Sequence, residues 1–303
     1  MIKNSADPAA LEQMELRLKT ILPEEYQDSY EDVQPVSMGS AGLKFGSDGK
    51  VAWDDMWDTF CDLAMAGGPP HKGRLLEPGS VDDIHAQPDR YRKVVEELCR
   101  GIRLVADLPV QPSPVPGWVR LECESPGMAG WLLRAVLMEN ISARSEEAFL
   151  DLPASPDYRV EKEIKNVITA IAKTCHYYAD HMWASQQRAI GELFEKMESE
   201  SPLVQPSPVS NAFAAGRISE LVSEQTTVRA SGHRYAGWWG LECPTVRAAV
   251  WMMRALVASN VLARREETTL FVPLNPATDP NGDVVAQAVI QVYGFAEMRG
   301  VLN

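Results

Sequence analysis

Two stretches of the chain share one pattern. Residues 117–150 read GWVRLECESPGMAGWLLRAVLMENISARSEEAFL, and residues 237–270 read GWWGLECPTVRAAVWMMRALVASNVLARREETTL. Aligned without a gap, 15 of their 34 positions are identical, whereas chance matching would give only a few. Self-similarity at a fixed spacing is typical of a repeated structural unit. The sequence therefore predicts two tandem, diverged copies of one module.

The shared stretch predicts a strand, a helix and a second strand. Residues 118–123 alternate between apolar and polar side chains, as a half-buried strand does. Ser125 and Pro126 are typical of a helix start, with serine as the cap and proline in the first turn. Residues 141–152 predict the second strand, and a strand–helix–strand connection favours a right-handed parallel pair. We expect an α/β fold, with mixed α+β as the alternative.

The repeat also predicts how the chain is divided. Residues 1–39 form an N-terminal helical extension, residues 40–160 form module one and residues 161–303 form module two. Each module is a small sheet covered by helices, and the two modules are pseudo-symmetric copies. Apolar residues at helical spacing predict further helices at about 54–66, 88–105, 161–182 and 283–298. The residues around Ser47-Asp48-Gly49 predict a hairpin.

Composition excludes several function classes. The net charge of −13 and the isoelectric point near 4.9 disfavour binding to nucleic acid or to anionic membranes. The five cysteines are widely spaced without a CxxC motif, which is typical of small buried side chains in a reducing compartment. The chain has no signal region and no apolar run of about 18 residues, so we expect a soluble, cytoplasmic protein. Nothing in the sequence indicates a cofactor or an oligomeric state.

Four charged residues recur in both copies. Glu122 and Glu242 leave the predicted strand, and Arg134 and Arg254 lie within the apolar helix that follows. A buried arginine needs a partner, so each glutamate is expected to pair with the arginine of its own copy. The alternative is that these four charges line a shared site for an anion or a carboxylate.

A loop in module one carries two candidate catalytic residues. Glycines and prolines at 67–70 end the predicted helix and present His71 and Lys72 at a loop tip. The segment lacks the spacing of a phosphate-binding P-loop. It is either a plain turn or part of a site.

The segment 174–181 carries the other two candidates. His176 and Asp180 are one α-helical turn apart, so the carboxylate can orient the imidazole for acid–base work, although an ordinary surface pair has the same spacing. On an α-helical wheel His181 diverges from His176 by about 140°, which argues against a shared metal ion. Cys175 points to the apolar face, and adjacent side chains on a helix diverge, which argues against a Cys175–His176 nucleophilic pair.

These observations predict a metal-independent enzyme that acts on a small polar metabolite in a cleft between the two modules. Its candidate catalytic residues are His71, Lys72, His176 and Asp180. Module two lacks the His-Lys loop, so the site is expected to be asymmetric. The alternative is a non-catalytic protein that binds a small molecule or takes part in an assembly.

Overall fold

The computed structural model describes residues 7–24, 27, 43–56 and 73–302, except for the side chains of 232–234. The chain forms two compact units. The central unit is Val33–Arg188, and the terminal unit combines Met1–Asp32 with Ala189–Asn303. The module bounds at 39/40 and 160/161 stay predictions.

The central unit contains a sheet, its covering helices and two π-helical turns. Its elements are α2 (Val81–Ala86), α3 (Pro88–Ala106), β1 (Val110–Pro112), β2 (Trp118–Glu122), α4 (Pro126–Met138), β3 (Arg144–Glu146), β4 (Phe149–Pro153), a π turn at Val160–Ile164, α5 (Lys165–His176) and a second π turn at Tyr177–His181.

The terminal unit begins with a helix from the start of the chain and continues after the central unit. Its elements are α1 (Pro8–Ile21), α6 (Ala184–Glu200, which begins in the central unit), α7 (Ala212–Gln225), β5 (Arg229–Tyr235), β6 (Trp238–Glu242), α8 (Val246–Val257), β7 (Arg264–Glu266), β8 (Thr269–Pro273) and α9 (Asp283–Arg299).

The two sheets have the same strand order, and all their neighbouring strands are antiparallel. The order is β1-β2-β4-β3 in the central unit and β5-β6-β8-β7 in the terminal unit. The predicted parallel pair is therefore wrong. The stretch 141–152 contains a hairpin rather than one strand, because the chain reverses at Glu147, whose φ is 51°. The crossover does connect strands of the same direction, β2 and β3, but β4 lies between them.

The inner face of each sheet forms the core with its helices. In β2 and β4 the side chains of Val119, Leu121, Leu150 and Leu152 are fully buried. Serine caps α4 as predicted, since the Ser125 hydroxyl accepts a hydrogen bond from the Met128 amide. The alternation read from the sequence therefore identifies the buried face correctly.

The remaining predicted elements are largely confirmed. The hairpin near residue 48 is present as an antiparallel bridge between Phe45 and Val51. The helices predicted at 88–105, 161–182 and 283–298 are present, the second as α5 with its flanking π turns. The helix predicted at 54–66 is described only as far as Met56, and the rest lies outside the described residues. None of the described helices has the length and apolar character to span a membrane.

Candidate functional site

The structure brings together two of the four candidate catalytic residues. His176 ends α5 and Asp180 lies in the π turn that follows it. His71 and Lys72 lie outside the described residues, so their part in the site stays a prediction.

The π turn places His181 next to His176. The Nε2 atoms of the two imidazoles are 3.2 Å apart, and the ring centroids are 4.9 Å apart. The predicted divergence of these two histidines is wrong because it assumed α-helical spacing. A π turn closes with i→i+5 hydrogen bonds and so brings residues five apart onto one side of the helix. His181 is thus a candidate site residue that the sequence reasoning missed.

Asp180 fixes the orientation and the expected tautomer of His176. Its Oδ2 lies 2.7 Å from His176 Nδ1. An ionised carboxylate can only accept, so Nδ1 carries the hydrogen and Nε2 presents its lone pair toward His181. The three side chains form one hydrogen-bonded line, from Asp180 through His176 to His181.

Aromatic side chains of the π turn pack against His181 and against the core of the central unit. Tyr177 and Tyr178 are both buried, and the Tyr177 ring centroid lies 5.2 Å from that of His181. The Tyr178 ring packs against Trp131 of α4, with centroids 5.5 Å apart. The π turn is therefore anchored to the core of the central unit, which holds the histidines in a defined arrangement.

A side chain from α6 stabilises the end of the π turn. The Gln187 amide donates to the backbone oxygen of Tyr178 at 2.7 Å and to that of Met182 at 3.2 Å. A π turn leaves backbone carbonyls that the regular α-helical ladder would satisfy. Gln187 donates to one carbonyl within the turn, that of Tyr178, and to the carbonyl of Met182, which directly follows the turn.

Solvent reaches the site. The side chain of His176 is 23% exposed and that of Asp180 is 64% exposed. Trp183, two residues after His181, is 80% exposed. A pair this open contributes little to stability. The pair instead orients the His176 imidazole, which a dissolved molecule can reach.

Cysteine chemistry is absent from this line. Cys175 is buried, and burial raises the pKa of its thiol, with the neighbouring Cys123 raising it further. A buried protonated thiol is a poor nucleophile. Four cysteines are buried as predicted, namely Cys99, Cys123, Cys175 and Cys243, while Cys61 lies outside the described residues.

The predicted glutamate–arginine ion pairs are wrong for the described residues. Glu122 is exposed on the outer face of β2, whereas Arg134 is 4% exposed and donates to the backbone oxygen of Gly130. In the terminal unit, Glu242 accepts hydrogen bonds from the hydroxyls of Thr268 and Thr269. Strand alternation explains the error, because the glutamates share the strand face that points away from the helix.

The two sheets differ chemically on their outer faces. In the central unit the buried Asp151 accepts from Arg120 at 2.8 Å and from Arg144 at 2.9 Å. In the terminal unit Arg264 lies over the Phe271 ring, 4.0 Å from its centroid. The two sheets therefore have the same strand order, while their outer faces carry different interactions.

Comparison of the chain with family models, curated proteins and solved structures finds no match. Within the described ranges, no group of three or more His, Cys, Asp or Glu side chains is placed to hold a metal ion.

Proposed function

We propose that the protein is an enzyme that performs metal-independent acid–base chemistry on a small polar metabolite. The carrying observation is the hydrogen-bonded line from Asp180 through His176 to His181, on a π turn open to solvent. π turns inside helices are frequent at functional sites, because they cost regular hydrogen bonds and persist where the geometry is needed.

In this proposal His176 is the general base. Its Nε2 accepts a proton from the substrate, and Asp180 stabilises the imidazolium through the bond at Nδ1. When His181 carries its hydrogen on Nδ1, its Nε2 lies within hydrogen-bond distance to accept that proton from His176, and His181 then releases the Nδ1 hydrogen to solvent. The three side chains thus accept, hold and release one proton without the help of a cofactor.

The site belongs to one copy only. α5 of the central unit ends in His176, whereas α9, the predicted counterpart in the terminal unit, contains no histidine. We propose that the repeat arose by duplication. In this proposal module one and the helix that follows it, which ends in His176, carry the chemistry with His71 and Lys72 as further contributors. The remainder of module two stabilises them.

A ligand screen tests this proposal. Thermal-shift measurements of the full chain against a library of polar metabolites will identify ligands that raise the melting temperature by mass action. Each stabilising compound is then followed by NMR for conversion. We expect His176→Asn and Asp180→Asn to lower the turnover, by about 100-fold or more for His176→Asn.

The matched control is His85→Asn, which changes an exposed histidine on α2. It should leave turnover unchanged. Stabilisation by a ligand without any conversion would instead support the binding-protein alternative. Full turnover in His176→Asn would remove His176 from the chemistry altogether.

A further inference from the structure

We propose that His176 and His181 form a two-histidine site for a divalent transition-metal ion of the class that prefers imidazole, with zinc as the representative. The ion is held by the two Nε2 atoms and by water molecules. This site goes beyond the proposed acid–base function, since its existence is measured by binding alone.

The distance between the two nitrogens fits such an ion. Two zinc–nitrogen bonds of about 2.0–2.1 Å at a near-tetrahedral angle separate their nitrogens by about 3.3 Å. The two Nε2 atoms are 3.2 Å apart. The ion occupies a position beside the line joining the nitrogens, so small rotations of the imidazoles suffice to direct both lone pairs at it.

The carboxylate behind His176 matches the pattern of metal-binding histidines. Such histidines usually donate their other ring N–H to a carboxylate or carbonyl, which fixes the tautomer and makes the ligating nitrogen more basic. Asp180 Oδ2 accepts from His176 Nδ1 at 2.7 Å. His181 becomes a ligand when its proton moves from Nε2 to Nδ1, so no proton is gained or lost by that step.

Rigidity raises the affinity of a two-ligand site. Tyr177 packs against His181, and both tyrosines of the π turn are buried. The two imidazoles are therefore already near each other before the ion arrives, which reduces the ordering cost of binding. Imidazole ligands select zinc, copper and nickel over magnesium and calcium.

Metal binding and proton transfer use the same lone pair. An ion on His176 Nε2 prevents that atom from accepting a proton. If the proposed function holds, transition-metal ions that bind His176 inhibit the acid–base chemistry; this inference rests on that function. The metal-site proposal can still hold if no inhibition is observed, because metal binding and turnover are measured separately.

The test is a zinc titration of tag-free full-length protein by calorimetry. We expect one zinc ion per chain, bound at micromolar concentration. His176→Ala and His181→Ala should abolish this binding, and His85→Ala should retain it. Asp180→Asn should weaken it by about 10- to 100-fold. Circular dichroism and melting temperature verify that each variant is folded.

A second measurement uses the unaltered protein. Imidazole ¹⁵N NMR should show zinc-dependent shifts at Nε2 of both His176 and His181. The proposal is overturned if zinc leaves these signals unchanged. It is equally overturned if folded His176→Ala and His181→Ala bind zinc as the wild type does. Zinc binding without any inhibition of turnover would refute only the inhibitory role.

Discussion

Asn140 and Asn260 hold the same left-handed backbone conformation, with φ of 61° at each. Each side-chain amide donates to a backbone oxygen of an earlier segment, Gly73 O at 2.9 Å and Ser201 O at 2.7 Å. Asparagine tolerates this conformation better than most residues. The corner between helix and strand is thus built by the same device in both units.

This corner yields a stability prediction. Asn140→Ala loses a buried hydrogen bond and forces alanine into the left-handed region, so the free energy of unfolding should fall by about 2–3 kcal/mol. Asn140→Gly loses only the hydrogen bond and should cost about 1 kcal/mol. Urea denaturation of both variants measures the difference. Equal losses would show that the backbone conformation contributes nothing.

The contact between α3 and α5 depends on Gly101. A Cβ there would collide with the Ile168 side chain and lie 3.0 Å from Trp53 Cδ1. We expect Gly101→Ala to destabilise the protein by about 1–3 kcal/mol, with partial rescue by adding Ile168→Val. Gly191→Ala is the control, because no atom of the described residues outside its own helix backbone lies within 4 Å of its Cβ position, and it should stabilise α6 by about 1 kcal/mol. A destabilised control or an unaffected Gly101→Ala would contradict this account.

Two buried thiols predict loss of stability at alkaline pH. Burial raises the pKa of Cys123 and that of Cys243 from 9.0 to about 12. Above pH 9 the unfolded thiols ionise while the folded ones stay protonated, so this contribution to stability is present below 9 and is lost as pH rises toward 12. The slope approaches about 1.4 kcal/mol per pH unit for each thiol.

Denaturation curves between about pH 8 and about pH 10.5 measure that slope. Cys123→Ala should reduce the slope of stability against pH by the contribution of one thiol. An unchanged slope in this variant would mean that other groups cause the alkaline loss.

Lys173 and Glu139 form a buried ion pair in the central unit, with Nζ and Oε1 3.6 Å apart. Lys173→Met leaves a buried carboxylate without this partner and should cost about 3–5 kcal/mol. Adding Glu139→Leu should restore part of that loss. A double-mutant cycle by thermal unfolding gives the coupling, and strictly additive effects would show that the pair does not interact.

Much of the fold could be predicted from the repeat. Alternation at 118–123 and the Ser125-Pro126 helix start identified β2 and α4, because side-chain period and capping are local properties. The antiparallel order could not be predicted in the same way. It depends on the reversal at Glu147, and glutamate at positive φ is uncommon enough that no pattern indicates it.

The candidate site was predicted in part for a related reason. The spacing of His176 and Asp180 identified their hydrogen bond under either helical geometry. The position of His181 depends on a π turn, which tertiary contacts such as that of Gln187 stabilise. Sequence periodicity assumes one repeat length along a helix and cannot show where that length changes.

The packing of α1 has a consequence for synthesis on the ribosome. Met14, Leu18 and Ile21 are buried in the terminal unit, where α1 contacts α8. α1 leaves the ribosome long before Val246–Val257, which forms α8, is translated. Its apolar side chains therefore cannot pack against α8 while the central unit is being synthesised. The nascent chain therefore carries an exposed apolar helix throughout most of its elongation, which makes that helix a natural binding segment for chaperones.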